Sequence, residues 1–124
     1  MLVHGELTNR IIGLAIEVHQ TVGPGLLESV HSKCLSDELA QAGIPFQREV
    51  AVPVTYKGRT LPLGFRADII VDGTILLEIK GVAALLPTHE IQLLTYLRVS
   101  KIQVGLLMNF HAIRLKDGLR RLIL

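Results

Sequence analysis

The chain has 124 residues, 49% of them hydrophobic, 4% aromatic and 19% charged, with one cysteine and a formal net charge of +2. That length allows one domain with a real core, Cys34 alone excludes an internal disulfide and suits a reducing cytoplasm, and MLVHGELTNR lacks the charged-then-apolar layout of a leader. No run reaches the roughly 18 apolar residues of a membrane span, so the apolar surplus points to a subunit interface and a homodimer is expected; so mild a positive charge is not in itself a nucleic-acid footprint.

Thr8-Asn9 can cap a first helix, Asn9 to Val22, whose Ile11, Ile12, Ala15, Ile16 and Val22 recur at helical spacing. Gly23-Pro24-Gly25 stops that helix and restarts the chain, since glycine suits helix ends and proline helix starts. A second helix is expected over Leu26 to Ala42, with Leu27, Val30, Cys34, Leu35 and Leu39 inward. From Phe46 to Tyr56 the pattern alternates, placing Phe46, Val50, Val52, Val54 and Tyr56 on one strand face. Lys57-Gly58 turns into a strand made irregular by Pro62 and Gly64.

The next stretch, FRADIIVDGTILLEIKG from Phe65 to Gly81, reads as two apolar strands around a turn. Asp68, Glu78 and Lys80 interrupt it, and charge in a core strand is costly unless paired or bound to a metal. Residues two apart share a strand face, so Glu78 and Lys80 point the same way. A two-residue turn at Asp72-Gly73 would aim Asp68 at the other face. A three-residue loop, Val71-Asp72-Gly73, with Gly73 left-handed in a bulge, pairs Asp68 with Leu76 and gathers the three charges on one face. The odd loop is the expectation.

Pro87-Thr88 opens a third helix, Thr88 to Ser100, with Leu93, Leu94 and Leu97 inward. Ile102 to Asn109 is a continuous apolar strand, covered on both faces, with Gly105 as a close-packing point. Asp117-Gly118 turns between two short segments, Ala112–Lys116 and Leu119–Leu124. The fold class expected is α/β: a mixed sheet flanked by helices, in the order ααβββαβ plus a C-terminal hairpin. A crossover through the third helix should make the strands of Glu78 and Leu106 parallel.

Two carboxylates and an amine suit Mg²⁺ or Mn²⁺, hard ions that keep several waters and bind phosphate; such an ion neutralises charge growing on a phosphate oxygen. A buried acid–lysine ion pair accounts for the same residues equally well. Glu28 and His31 share a helix face and could reach the ion, although a solvated face is the simpler reading. His89, Gln92 and Tyr96 form a polar stripe that could contact a nucleotide strand. His4, His19 and His111 read as structural. Arg48, Arg66, Arg98, Lys101, Arg114, Lys116, Arg120 and Arg121 could meet phosphates, but scattered surface charge yields the same set. No P-loop, GxGxxG, HExxH, GxSxG or cysteine cluster competes.

Asp68 followed by Glu78-Ile79-Lys80 resembles the D…ExK signature of the PD-(D/E)XK nuclease superfamily, and the element order is similar to its restriction-endonuclease-like core. Gln92-Leu-Leu-Thr-Tyr96 resembles the QxxxY motif of RecB-type exonucleases, and Gly25-Leu-Leu-Glu28-Ser-Val-His31 resembles the motif of the GxxExxY proteins. IEVHQTVGPGLLESV, HEIQLLTYLR, LLMNF and LKDGLRR extend that likeness from about Leu7 to Leu122. The resemblance implies a single nuclease-like domain, residues 1–124, acting on nucleic acid, in the first place DNA, with Mg²⁺ or Mn²⁺. It implies that Asp68, Glu78 and the Ile79 carbonyl hold the ion, with Glu28 as a further ligand or water-positioning group. Lys80 would orient water or stabilise the transition state, Gln92 would orient the site, and Tyr96 and His31 would touch substrate. Ala67 replaces the motif's proline and His31 its tyrosine. A catalytically inactive module binding nucleic acid or a protein partner is the alternative.

Overall fold

A computed structural model describes residues 3–124; residues 1 and 2, part of the stretch read for a leader, lie outside them. The elements are α1 (Gly5–Val22), α2 (Glu28–Gln41), β1 (Phe46–Tyr56), β2 (Arg59–Val71), β3 (Ile75–Lys80), α3 (Pro87–Ser100), β4 (Val104–Asn109), a 3-10 turn (Leu115–Gly118) and β5 (Leu119–Ile123). The strands form one sheet in the order β1-β2-β3-β4-β5. β3 and β4 run parallel, joined through α3, and every other neighbouring pair is antiparallel. The α/β class and the mixed sheet expected from sequence are what the chain adopts.

Two apolar layers sandwich the sheet. On one face Ile11 and Ala15 of α1 and Leu35 and Leu39 of α2 pack on Ile69, Leu77, Leu106 and Met108. On the other, Leu93 and Leu97 of α3 cover Leu76 and Leu107. All of β4 is buried, which its unbroken apolar run anticipates. A Cβ at Gly105 would meet three Leu93 side-chain carbons at 3.1 Å, so α3 lies directly on the β4 backbone. Truncating a side chain as enclosed as Leu93 costs about 2–5 kcal/mol in comparable cores.

Three expectations need correction. α1 begins at Gly5, not Asn9, and Thr8 is a buried helical residue instead of a cap. The C-terminal hairpin has β4, not Ala112–Lys116, as its first arm: β5 pairs antiparallel with β4 from Val104↔Ile123 to Met108↔Leu119. The physical reason is that β4 offers β5 a complete ladder of backbone partners, while Leu115 is buried in a tight turn beneath it.

The third correction concerns β1. Phe46 joins the core layer of α1 and α2, whereas Val50 and Val52 join that of α3. Across the ladder, Ile69 and Val71 lie in the first layer, but Ala67 and Phe65 lie in the second. Simple alternation would keep each set on one face. The switch falls at Glu49, whose φ is 50°, and at Asp68, the position facing it. Beyond this kink β1 and β2 pair only with each other, because the β2–β3 ladder stops at Ile69↔Leu77.

Candidate active site

The loop between β2 and β3 has three residues, as expected, but they are Asp72, Gly73 and Thr74. Asp72 (φ 52°) and Gly73 (φ 67°) are both left-handed, and the Thr74 N–H donates to the Val71 carbonyl at 3.0 Å. That is a type I′ turn followed by one extra residue. The ladder then runs Val71↔Ile75, Ile70↔Leu76, Ile69↔Leu77. Continued by one step, it sets Asp68 opposite Glu78, not Leu76. The ladder ends before that step, yet the two carboxyls act on each other, so the acids lie close together.

Where the ladder stops, a side chain takes over. The Ile79 N–H donates to Asp68 Oδ2 at 2.7 Å. Asp68 thus ties β3 to β2 at the kink. Glu78 is 6% exposed, and its Oε1 has no hydrogen-bond partner among the described residues. Burial, and then the Asp68 charge, push the Glu78 carboxyl up to about 8, with Lys80 opposing. Asp68 is also raised, chiefly by burial and further by Glu28, while the Ile79 N–H and Lys80 hold it down. The pair is short of positive charge.

Lys80 is the last residue of β3 and half-buried, and its Nζ donates to Gln92 Oε1 at 3.4 Å. Gln92 comes from α3, so the strand and the crossover helix meet at this group. Four residues on, Tyr96 stacks on Phe65 with ring centroids 3.8 Å apart and planes 2° from parallel. Burial raises the Tyr96 hydroxyl, and the Glu78 and Asp68 charges raise it further, as fits a phenol facing the carboxylates. Glu28, the first residue of α2, reaches the far end of β3 and accepts the Gly81 N–H at 3.2 Å.

His31 is not brought to this group. It is 1% exposed, its Nε2–H donates to the Gly23 carbonyl at 2.9 Å, and its ring lies on Phe110 with centroids 4.6 Å apart. His89 leaves the polar stripe as well, because its Nδ1 accepts the Leu86 N–H at 2.9 Å and closes the first turn of α3. Sequence reasoning overlooked Asn109. This buried amide donates to the Val82 carbonyl at 2.8 Å and accepts the Val82 and His111 N–H groups at 3.1 and 3.2 Å. The Phe110 N–H adds a bond to the Lys80 carbonyl at 2.9 Å. Together they fix the chain as it leaves Lys80. The available signal was an amide ending the apolar run VGLLMN, since a buried amide needs partners.

Asp68 and Glu78 fit a divalent ion on two observations, the orphaned Glu78 oxygen and the upward shift of both carboxyls. A cation beside them would offset the burial that keeps Glu78 protonated. Among the described residues no group of three or more His, Cys, Asp or Glu side chains is placed to hold a metal. Two carboxylates suit an ion that keeps much of its own water shell.

The sequence model of the PD-(D/E)XK nuclease superfamily matches residues 5–122, from the start of α1 into β5. No curated protein and no solved structure matches the chain significantly. The matched region covers the sheet, all three helices and the acid–acid–lysine group at the end of β3, and the chain belongs to the PD-(D/E)XK nuclease superfamily.

Proposed function

We propose that the protein is a metal-dependent nuclease that hydrolyses phosphodiester bonds of DNA. The observation that carries this reading is the buried Glu78 oxygen with no hydrogen-bond partner among the described residues, beside Asp68, with the Lys80 charge lowering both carboxyls. Asp68 and Glu78 would hold Mg²⁺ or Mn²⁺ with the Ile79 carbonyl, and Glu28, which accepts the Gly81 N–H, would position water. The ion supplies positive charge at the phosphate and makes water a better nucleophile at neutral pH. Lys80 donates to the oxygens that gain charge at the pentavalent phosphorus, and Gln92 holds its ammonium in place. Tyr96 lies against the substrate strand. His31 is left out of this set because its ring is enclosed against Phe110. The narrower likeness to GxxExxY proteins supports the role given to Glu28.

The test is cleavage of a mixed DNA panel with Mg²⁺ or Mn²⁺, comparing wild type with Asp68→Ala and Lys80→Ala. Loss of cleavage in both variants supports the reading, and equal trace activity in all three proteins ends it. A second reading, an inactive binding module, draws on one observation: among the described residues no three His, Cys, Asp or Glu side chains are gathered for a metal. It predicts no heat on Mn²⁺ titration and unchanged melting in Lys80→Ala. We also propose a homodimer, supported by large apolar side chains left in solvent, among them Leu27 (74% exposed) and Ile113 (90%).

A further inference from the structure

We propose that the β1–β2 ribbon beyond the Glu49–Asp68 kink is an arm that grips double-stranded DNA next to the carboxylate pair. The proposal rests on the nuclease reading and adds to it the form of the substrate and the element that holds it.

The ribbon stands apart from the rest of the sheet. From Val50↔Ala67 to Tyr56↔Arg59, β1 and β2 pair only with each other. Its base is anchored, with Val50, Val52 and Phe65 packed in the α3 layer and Phe65 stacked on Tyr96. Its tip is free, since every residue from Thr55 to Thr60 is exposed. A register shift between Pro53 and Thr55 adds local twist. At a strand rise of ~3.3 Å, the nine steps from Asp68 back to Arg59 span roughly 30 Å. At 3.4 Å per phosphate along one strand, that is about nine nucleotides.

The charge on the arm has one sign. Between Val50 and Ala67 the chain carries Lys57, Arg59 and Arg66 and no Asp or Glu. All three cations are exposed, and none forms a salt bridge among the described residues. The Lys57 ammonium lies 5.3 Å from the Tyr56 ring centroid, at the tip. A polyanion is the partner that exposed charge of one sign fits. Arg66 is two residues from Asp68, so the cations run from the tip of the arm to its base.

Shape selects the duplex. The major groove of B-DNA admits a two-stranded ribbon. The corresponding groove of A-form RNA is too deep and narrow for side chains to reach. Single strands are held on aromatic platforms, and the arm has two aromatic residues, of which Phe65 is already stacked on Tyr96.

Fluorescence anisotropy on a labelled duplex, in EDTA so that no cleavage intervenes, tests the arm. Wild type is compared with Lys57→Gln/Arg59→Gln/Arg66→Gln across 50–200 mM salt. All three side chains are exposed, and circular dichroism verifies that the variant is folded. Neutralising three phosphates contributes about 2.7 to the slope of log K against log salt. Wild type should therefore lose about forty-fold more affinity than the variant over that range. Parallel slopes, absence of duplex binding by wild type, or equal affinity for duplex RNA or single strands would overturn the proposal. Binding does not depend on cleavage, so the two readings fail separately. A chain that binds through the arm without cleaving loses the nuclease assignment alone, and one that cleaves with an unchanged salt slope loses the arm alone.

Discussion

Asp68 accepts the Ile79 N–H at 2.7 Å, so the residue proposed to supply a metal-binding carboxylate also fixes the strand carrying its proposed partner, Glu78. Structure and chemistry can be separated at this position. Asn keeps an acceptor for Ile79 and removes a buried charge, whereas Ala removes both. Asp68→Asn should fold with unchanged or raised Tm and lose metal-dependent cleavage by at least about 10³-fold. Asp68→Ala should also lose stability, by about 1–3 kcal/mol for the unsatisfied N–H. Paired melting and cleavage measurements check both.

The raised Glu78 carboxyl gives a pH signature. Its folded value, about 8, lies above its ordinary 4.5. The folded chain therefore keeps a proton that the unfolded chain has released. That contribution to stability is complete below pH ~4.5 and is lost as pH rises through ~8. Metal-free protein should melt at progressively lower temperature between those limits, and Glu78→Gln should flatten the decline. Thermal melts in EDTA across the range decide this. A divalent ion should reverse the trend, because it binds the deprotonated form.

Lys80 and Gln92 are linked side chain to side chain at 3.4 Å, and their variants should differ in degree. Lys80→Ala should lower kcat by about 10²–10³ with little change in KM, since it removes a donor used in the transition state. Gln92→Ala leaves the ammonium present but unguided, and its loss should be nearer ten-fold. Steady-state kinetics on one oligonucleotide separates them.

Much of this was legible beforehand. A continuous apolar run marked β4 as covered on both faces, and charges inside apolar strands marked Asp68, Glu78 and Lys80 as a candidate site. An odd-length loop was required to set the acids on one side, and the loop is odd, although shifted by one residue. That shift was hidden because type I′ and bulged turns both accept Asp-Gly, and only the ladder distinguishes them. The kink at Glu49 was also hidden. Nothing in the alternation of Phe46, Val50 and Val52 shows that the ribbon changes layers, because both layers are apolar. His31 looked accessible by helical periodicity, but its burial depends on Phe110, distant in sequence.

Asn109 offers a prediction that sequence alone would not. Asn109→Ala leaves the Val82 N–H and carbonyl and the His111 N–H without this partner, at a cost of about 2–3 kcal/mol. Asn109→Asp keeps the acceptor and loses the donor to the Val82 carbonyl, so it should recover part of the stability. Chemical denaturation of both variants against wild type tests the ordering.

A homodimer should appear in light scattering as a particle near twice the 13.6 kDa chain mass at micromolar concentration. A mass of one chain there contradicts it.

Titration of metal-free protein with Mn²⁺ in a calorimeter at pH 8, repeated in buffers of different ionisation heat, tests the central claim most directly. The expected result is saturable binding with release of a proton, abolished in Asp68→Asn and in Glu78→Gln. Binding that persists unchanged in both variants, or no binding by wild type, would contradict an ion held between these two carboxylates.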